Sequence, residues 1–147
     1  MTREHGGKMK SKTVLESLAA VEMALAGCRF AAGKEWNISI CVVDDGGHVL
    51  ALHRMDGAAP GTAHVAAEKA RSAAMFRAST KLFEDFVAAG QTAMLTLPGS
   101  LPIQGGIPIR AGQEVIGAVG VSGVRSHEDE EVAMNAVASL SKSDFSA

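Results

Sequence analysis

The segment from Gly105 to Gly123 constrains this chain more than any other. It reads as a strand, a turn near Ala111-Gly112 and a second strand, with glycine where a sheet normally carries a large apolar side chain. Alternation puts Val115, Val119 and Val121 on one face with Gly117 among them, and Ile116, Ala118, Gly120 and Ser122 on the other. Glycine inside a strand weakens it and leaves a shallow surface, so it marks a bulge or the close approach of another backbone or a ligand. The segment therefore predicts a sheet surface open to close approach, by a ligand or by another subunit.

The rest of the chain supplies elements around that hairpin. Val14, Leu18, Val21, Leu25 and Cys28 recur at spacings of four and three, which predicts one buried stripe on a helix from about Ser11 to Ala32, with Gly33 as its stop. Ile38 to Val43 is mostly β-branched, Asp44-Asp45-Gly46-Gly47 is a turn signal, and His48 to Arg54 reads as the return strand. A two-residue turn at Asp45-Gly46 would pair Val43 with His48, Cys41 with Leu50 and Ile38 with His53, leaving His48 and His53 on opposite faces. After a loop over Met55 to Gly61, Thr62 is placed to cap a helix to about Arg77, whose Ala66, Ala67, Ala70, Ala73 and Ala74 allow close packing. A short helix over Leu82 to Ala89 and an irregular connection over Gly90 to Pro102 precede the hairpin. Ser126 with Asp129 resembles a capping box for a last helix, with Val132, Ala133, Ala136, Val137 and Leu140 buried. The order of elements is that of an α+β fold on an antiparallel sheet. It is a single domain over 11–147 behind a flexible polar tail over 1–10 that holds Arg3, Lys8 and Lys10.

Composition excludes several classes. A net charge of −2 offers no basic face for nucleic acid. No apolar run reaches membrane-spanning length, and no secretion signal precedes the first helix, so a cytoplasmic location is expected. Cys28 and Cys41 form no CxxC pattern and read as reduced, buried residues.

Chemistry is less legible. Gly105-Gly106-Ile107-Pro108 lacks the lysine and the following helix of a phosphate loop, and Ser122 has neither nucleophile-elbow spacing nor a triad. His64 and Glu68 share a helical face, with Arg71 three residues on. His64 either ligates iron or contacts a ligand with Glu68 orienting it, or the face is simply solvated. Arg54, Asp56 and Lys69 form a second group. Arg54 and Lys69 would hold carboxylates, haem propionates included, or an ion pair with Asp56 fixes the loop. His48 and His53 read as strand-surface residues, His127 as part of an exposed helix start, and Met55, Met75 and Met94 as core fillers.

Four ordered segments carry a family resemblance: Val-Val-Asp-Asp-Gly-Gly-His-Val-Leu-Ala-Leu-His-Arg-Met-Asp-Gly-Ala (42–58), Ala-Glu-Lys-Ala-Arg-Ser-Ala-Ala-Met-Phe (67–76), Gly-Gly-Ile-Pro-Ile (105–109) and Val-Ile-Gly-Ala-Val-Gly-Val-Ser-Gly (115–123), with Asp129-Glu130 beyond. From Val14 to Leu140 the chain resembles the GlcG/HbpS-like family, also called the haem-degrading domain family. The resemblance implies a profilin-like fold with a five-stranded antiparallel sheet and flanking helices, assembled into a homo-oligomer, a tetramer or octamer. It also implies a small-molecule ligand, haem or a related tetrapyrrole; the candidate site for it gathers His64, Lys69, Arg54, Glu68, Gly105 and Gly106, with His64 as the metal ligand. An enzyme acting on a small carbonyl or carboxylate metabolite is the alternative: Arg54 and Lys69 would hold the anion and His64 or Glu68 would move a proton. A non-catalytic oligomeric accessory protein is the third reading. Positions matching the family are Arg54, Asp56, Lys69, Gly105, Gly106, Pro108, Gly117, Gly120, Ser122, Gly123 and Asp129.

Overall fold

A computed structural model describes residues 7–140. The chain runs α1 (Ser17–Gly33), β1 (Ser39–Asp44), β2 (Val49–Arg54), α2 (Gly61–Phe76), α3 (Thr80–Ala88), a 3-10 turn (Thr92–Thr96), β3 (Gly106–Ala111), β4 (Glu114–Ser122) and α4 (Ser126–Ala138). The strands form one antiparallel sheet in the order β2-β1-β4-β3. The α+β architecture is as expected, but among the described residues the sheet has four strands rather than five. The stretch between α3 and β3 adds none, because it folds into the 3-10 turn and a run broken by Pro98, Gly99 and Pro102.

Two cores sandwich the sheet. Ile40, Val42, Val119 and Val121 face Ala20, Met23, Ala24 and Ala31 of α1 and Val132, Ala133 and Ala136 of α4. On the other side Cys41, Val43 and Ala118 meet Ala66, Ala70, Ala73 and Ala74 of α2. The second core is built almost entirely from small side chains, so its cohesion depends on how closely α2 approaches the sheet. Both cysteines are free and buried, as expected.

Several expectations are corrected by the structure. The apolar stripe assigned to the first helix does not point inward: Val14, Leu18, Val21 and Leu25 are exposed, and the smaller Ala20, Ala24, Gly27 and Ala31 take the buried side with Met23 and Cys28. A side chain at Gly27 would come within 2.5 Å of the Ile40 Cδ1, so α1 needs small residues on the inner face. The helix also starts at Ser17 rather than near Ser11, and residues 7–16 carry no regular structure; the part of the proposed tail over 1–6 lies outside the described residues.

The β1–β2 register differs as well. Ile40 opposes His53, Cys41 opposes Leu52, and a bulge between Val42 and Val43 sets Val43 against Val49. His48 consequently lies in the turn. Asp44 explains the longer connection, since its Oδ1 accepts hydrogen bonds from the N–H groups of Gly46 and His48.

At the last helix the capping pair is displaced by one residue: the Glu128 Oε1 accepts from the Arg125 N–H at 3.2 Å, and Asp129 turns elsewhere. Thr62 does not cap α2 either. Its hydroxyl donates to the Ala59 carbonyl and lies 2.9 Å from the Ser39 Oγ.

Candidate functional site

The glycine-rich hairpin forms the seat of α2. A Cβ at Gly120 would stand 2.1 Å from the Ala66 carbonyl oxygen and 2.4 Å from the Ala70 nitrogen, and one at Gly106 would stand 2.4 Å from the Lys69 carbonyl oxygen. The close approach that the sequence announces is therefore made by a helix of the same chain. Two buried hydroxyls fasten the connection that leads into β3: the Thr80 Oγ1 accepts from the Gly106 N–H, and the Ser72 Oγ accepts from the Leu101 N–H.

Lys69 is part of this packing and does not reach a ligand surface. It is 2% exposed, and its Nζ donates to the Val121 carbonyl at 2.9 Å and to the Asp129 Oδ2 at 3.1 Å. The other Asp129 oxygen accepts from the Val124 N–H at 3.1 Å. Burial raises the Asp129 carboxyl above its usual value, and the Lys69 charge and the Val124 N–H work against that rise. Gly105 leaves room for the ammonium: at φ 134°, a Cβ there would lie 2.8 Å from the Lys69 Nζ. The expectation that Lys69 joins Arg54 in holding an anion is thus corrected. A desolvated ammonium takes the nearest carboxylate and carbonyl, and α4 supplies the carboxylate.

His64 is exposed on α2, and Glu68 pairs with Arg71. No hydrogen bond joins His64 to Glu68 among the described residues, and no group of three histidine, cysteine or acidic side chains there is arranged to hold a metal ion. Ser122 opposes Ser39 across the sheet, and among the described residues no hydrogen bond joins its hydroxyl to a histidine.

Arg54 and Asp56 belong to a different place. An open cleft of about 420 Å3 lies between the C-terminal half of α1 and the end of β2, lined by Leu25, Cys28, Arg29, Ala32, His53, Arg54, Met55 and Asp56. That volume falls in the range of small-molecule sites. One wall is apolar, from Leu25 and Ala32. The other carries His53 and Met55, His53 on the strand face it shares with Ile40, and Arg29 approaches from the helix; Arg54 pairs with Ser39, whose hydroxyl lies against Thr62 of α2, so alternation turns its side chain toward the other face of the sheet. Burial pushes the Cys28 thiol up, so it stays neutral here. The Met55 N–H donates to the Ile38 carbonyl at 3.0 Å, which anchors the strand end to β1.

Comparison with known proteins places this arrangement. The profile of a family described as haem degrading protein HbpS-like matches residues 15–138. This chain belongs to the HbpS-like family. It is 46% identical to protein GlcG of Escherichia coli K12 over 78% of this chain and 85% of that one. Its fold matches the crystal structure of a double mutant of Streptomyces reticuli HbpS with a TM-score of 0.85 at 30% identity, covering 96% and 97% of the two chains. Protein ORFY of Klebsiella pneumoniae matches with a TM-score of 0.87 at 28% identity, over 92% and 97%. Of the HbpS-like positions singled out in the sequence, Lys69, Gly105, Gly106, Gly120 and Asp129 hold α2 and α4 to the sheet, and only Arg54 and Asp56 line the cleft.

Sequence reasoning missed Arg29, whereas His53 is exposed on β2 as its reading as a strand-surface residue expects and also lines the cleft. Arg29 follows Leu25 by one helical turn, so its position beside the apolar row was available, but its place over the end of β2 depends on how α1 crosses that strand.

Proposed function

We propose that this protein binds haem or a related tetrapyrrole in the cleft between α1 and β2. The observation that carries the reading is the chemistry of the lining: a guanidinium from Arg29 and the imidazole of His53 beside an apolar wall, in a member of a family described as haem degrading. An amphipathic ring with carboxylate arms needs those three features together. Arg29 would take a carboxylate, Leu25 and Ala32 the ring face, and His53 or Met55 would hold an iron, since imidazole and thioether are both established haem-iron donors. When bound, the group would supply iron-centred ligand or redox chemistry. The chain's own residues bind and orient it, and the open side leaves one edge in solvent.

The exposed His64 stands on α2, which covers the opposite face of the sheet from α1, and it is not among the residues lining the cleft. Haem titration followed by the Soret band separates the two histidines. His53→Ala should lose most of the spectral shift, and Arg29→Ala should weaken affinity by roughly tenfold or more, the scale of one lost charge-assisted contact. A shift lost in His64→Ala and kept in His53→Ala would put the ligand outside the cleft.

A further inference from the structure

With Arg54 turned to the far face, the cleft is left with two formal charges of opposite sign: Arg29 on the α1 wall and Asp56 just beyond the end of β2. Among the described residues neither is ion-paired, with the other or with any third group. Backbone holds Asp56 in place. It follows Met55 in a turn closed by the Ala58 N–H, which donates to the Met55 carbonyl at 3.1 Å, and Gly57 supplies the positive φ of 85° that the next position of such a turn requires. A Cβ at Gly57 would stand 2.7 Å from the Asn37 Nδ2, so the turn is wedged against the connection that leads into β1. The turn therefore needs its glycine and not its aspartate, since its second position accepts most residues. Asp56 is an unneutralised carboxylate at the rim of the cleft, with no part in closing the turn that carries it.

We infer that Asp56 is a specificity residue: it keeps a second ligand carboxylate out of the cleft, so that one acidic arm lies on Arg29 and the other leaves through the open side. The inference rests on the haem reading above. A haem-type ring carries two carboxylate arms, and a site that held both would set a cation against each. This cleft sets one cation and, on the other wall, a like charge. Two carboxylates at that wall repel each other, and water at the rim screens the repulsion only in part. The second arm is more stable hydrated outside, which fixes which way round the ring enters. A site discriminates by what it repels as well as by what it attracts. The ligand class that fits best is thus a tetrapyrrole with one free carboxylate, whose second arm is uncharged or carries a hydrogen-bond donor for Asp56 to accept.

The test is Soret titration of the full chain with haem and with haem dimethyl ester, which keeps the ring and the iron and lacks both charges. Asp56→Asn should bind haem about fivefold more tightly than wild type at low salt, the scale of one relieved like-charge contact at a partly solvated site. The gain should vanish at about 1 M salt, where the screening length is about 3 Å. Affinity for the ester should stay within about twofold of wild type, because a neutral arm feels no charge at Asp56. Asp56→Lys, with a second cation on that wall, should bind haem more tightly than Asp56→Asn and leave the ester unaffected. Haem affinity unchanged or lowered in Asp56→Asn, or a gain that the ester shares or that survives high salt, would overturn the role of Asp56 and leave the cleft as the haem site. A wild type that takes up neither haem nor its ester would overturn the haem reading itself, and this inference with it.

Discussion

Gly120→Ala puts the packing of α2 to a direct test. The added methyl would sit 2.1 Å from the Ala66 oxygen and 2.4 Å from the Ala70 nitrogen, against an ordinary contact of 3.4 Å or more. Both obstacles are backbone atoms of a helix, so no rotamer change relieves them. The helix must retreat by about 1 Å, a gap that forfeits a quarter to a half of each dispersion well along the seat. Overpacking of a tight core costs about 1–3 kcal/mol, and a rigid backbone obstacle belongs at the upper end. Restricting the unfolded chain returns about 0.4–1 kcal/mol. The net expectation is a destabilisation of about 2 kcal/mol, or roughly 4–8 °C in melting temperature for a chain of this size. Urea and thermal denaturation at one fixed protein concentration measure it. Gly61→Ala is the control, because nothing lies within 4 Å of a Cβ there, and its stability should stay within about 0.5 kcal/mol of wild type. A Gly120→Ala protein as stable as the control would refute the view that the hairpin glycines exist to seat α2.

The buried ion pair gives two further tests. Lys69→Met removes the ammonium at similar volume and strands Asp129, so at neutral pH it should cost about 3–5 kcal/mol in urea denaturation; a loss under about 1 kcal/mol would mean that the pair is not sealed from water. Because burial raises Asp129 above its ordinary 3.8, the folded protein holds that proton to higher pH than the unfolded chain does. Stability from this group therefore falls as pH rises from about 3.8 through the raised value, the reverse of an ordinary paired carboxylate. Asp129→Asn should remove that downward contribution from the stability–pH curve, and the carboxyl-carbon chemical shift of Asp129 in wild type should titrate above its ordinary value.

How much of this was legible in the sequence depends on the kind of signal. The hairpin was readable because alternation and glycine placement are local, and its turn falls at Gly112 as expected. The orientation of α1 was not. The outward row has the same period as a buried one, and the truly buried positions are alanines and Gly27, whose value lies in closeness that a hydropathy pattern does not weigh. The bulge at Val42 and Val43 depends on Asp44 turning back on the loop, which shifts the register of β2 and moves His48 off the sheet. At the site, Arg54 was found but given the wrong companion. Lys69 and Asp129 are 60 residues apart, and no spacing rule joins them.

That separation also bears on how the molecule holds together in time. The Lys69 ammonium ties α2 to a β4 carbonyl 52 residues away and to α4 beyond it, so the last helix cannot peel off without exposing the pair to a half-formed interior. Terminal helices commonly fray as independent opening units. Here the amide protons of α4 would exchange in step with those of α2 and β4, and a chain cut after Val124 would lose the cooperative fold as a whole rather than one helix.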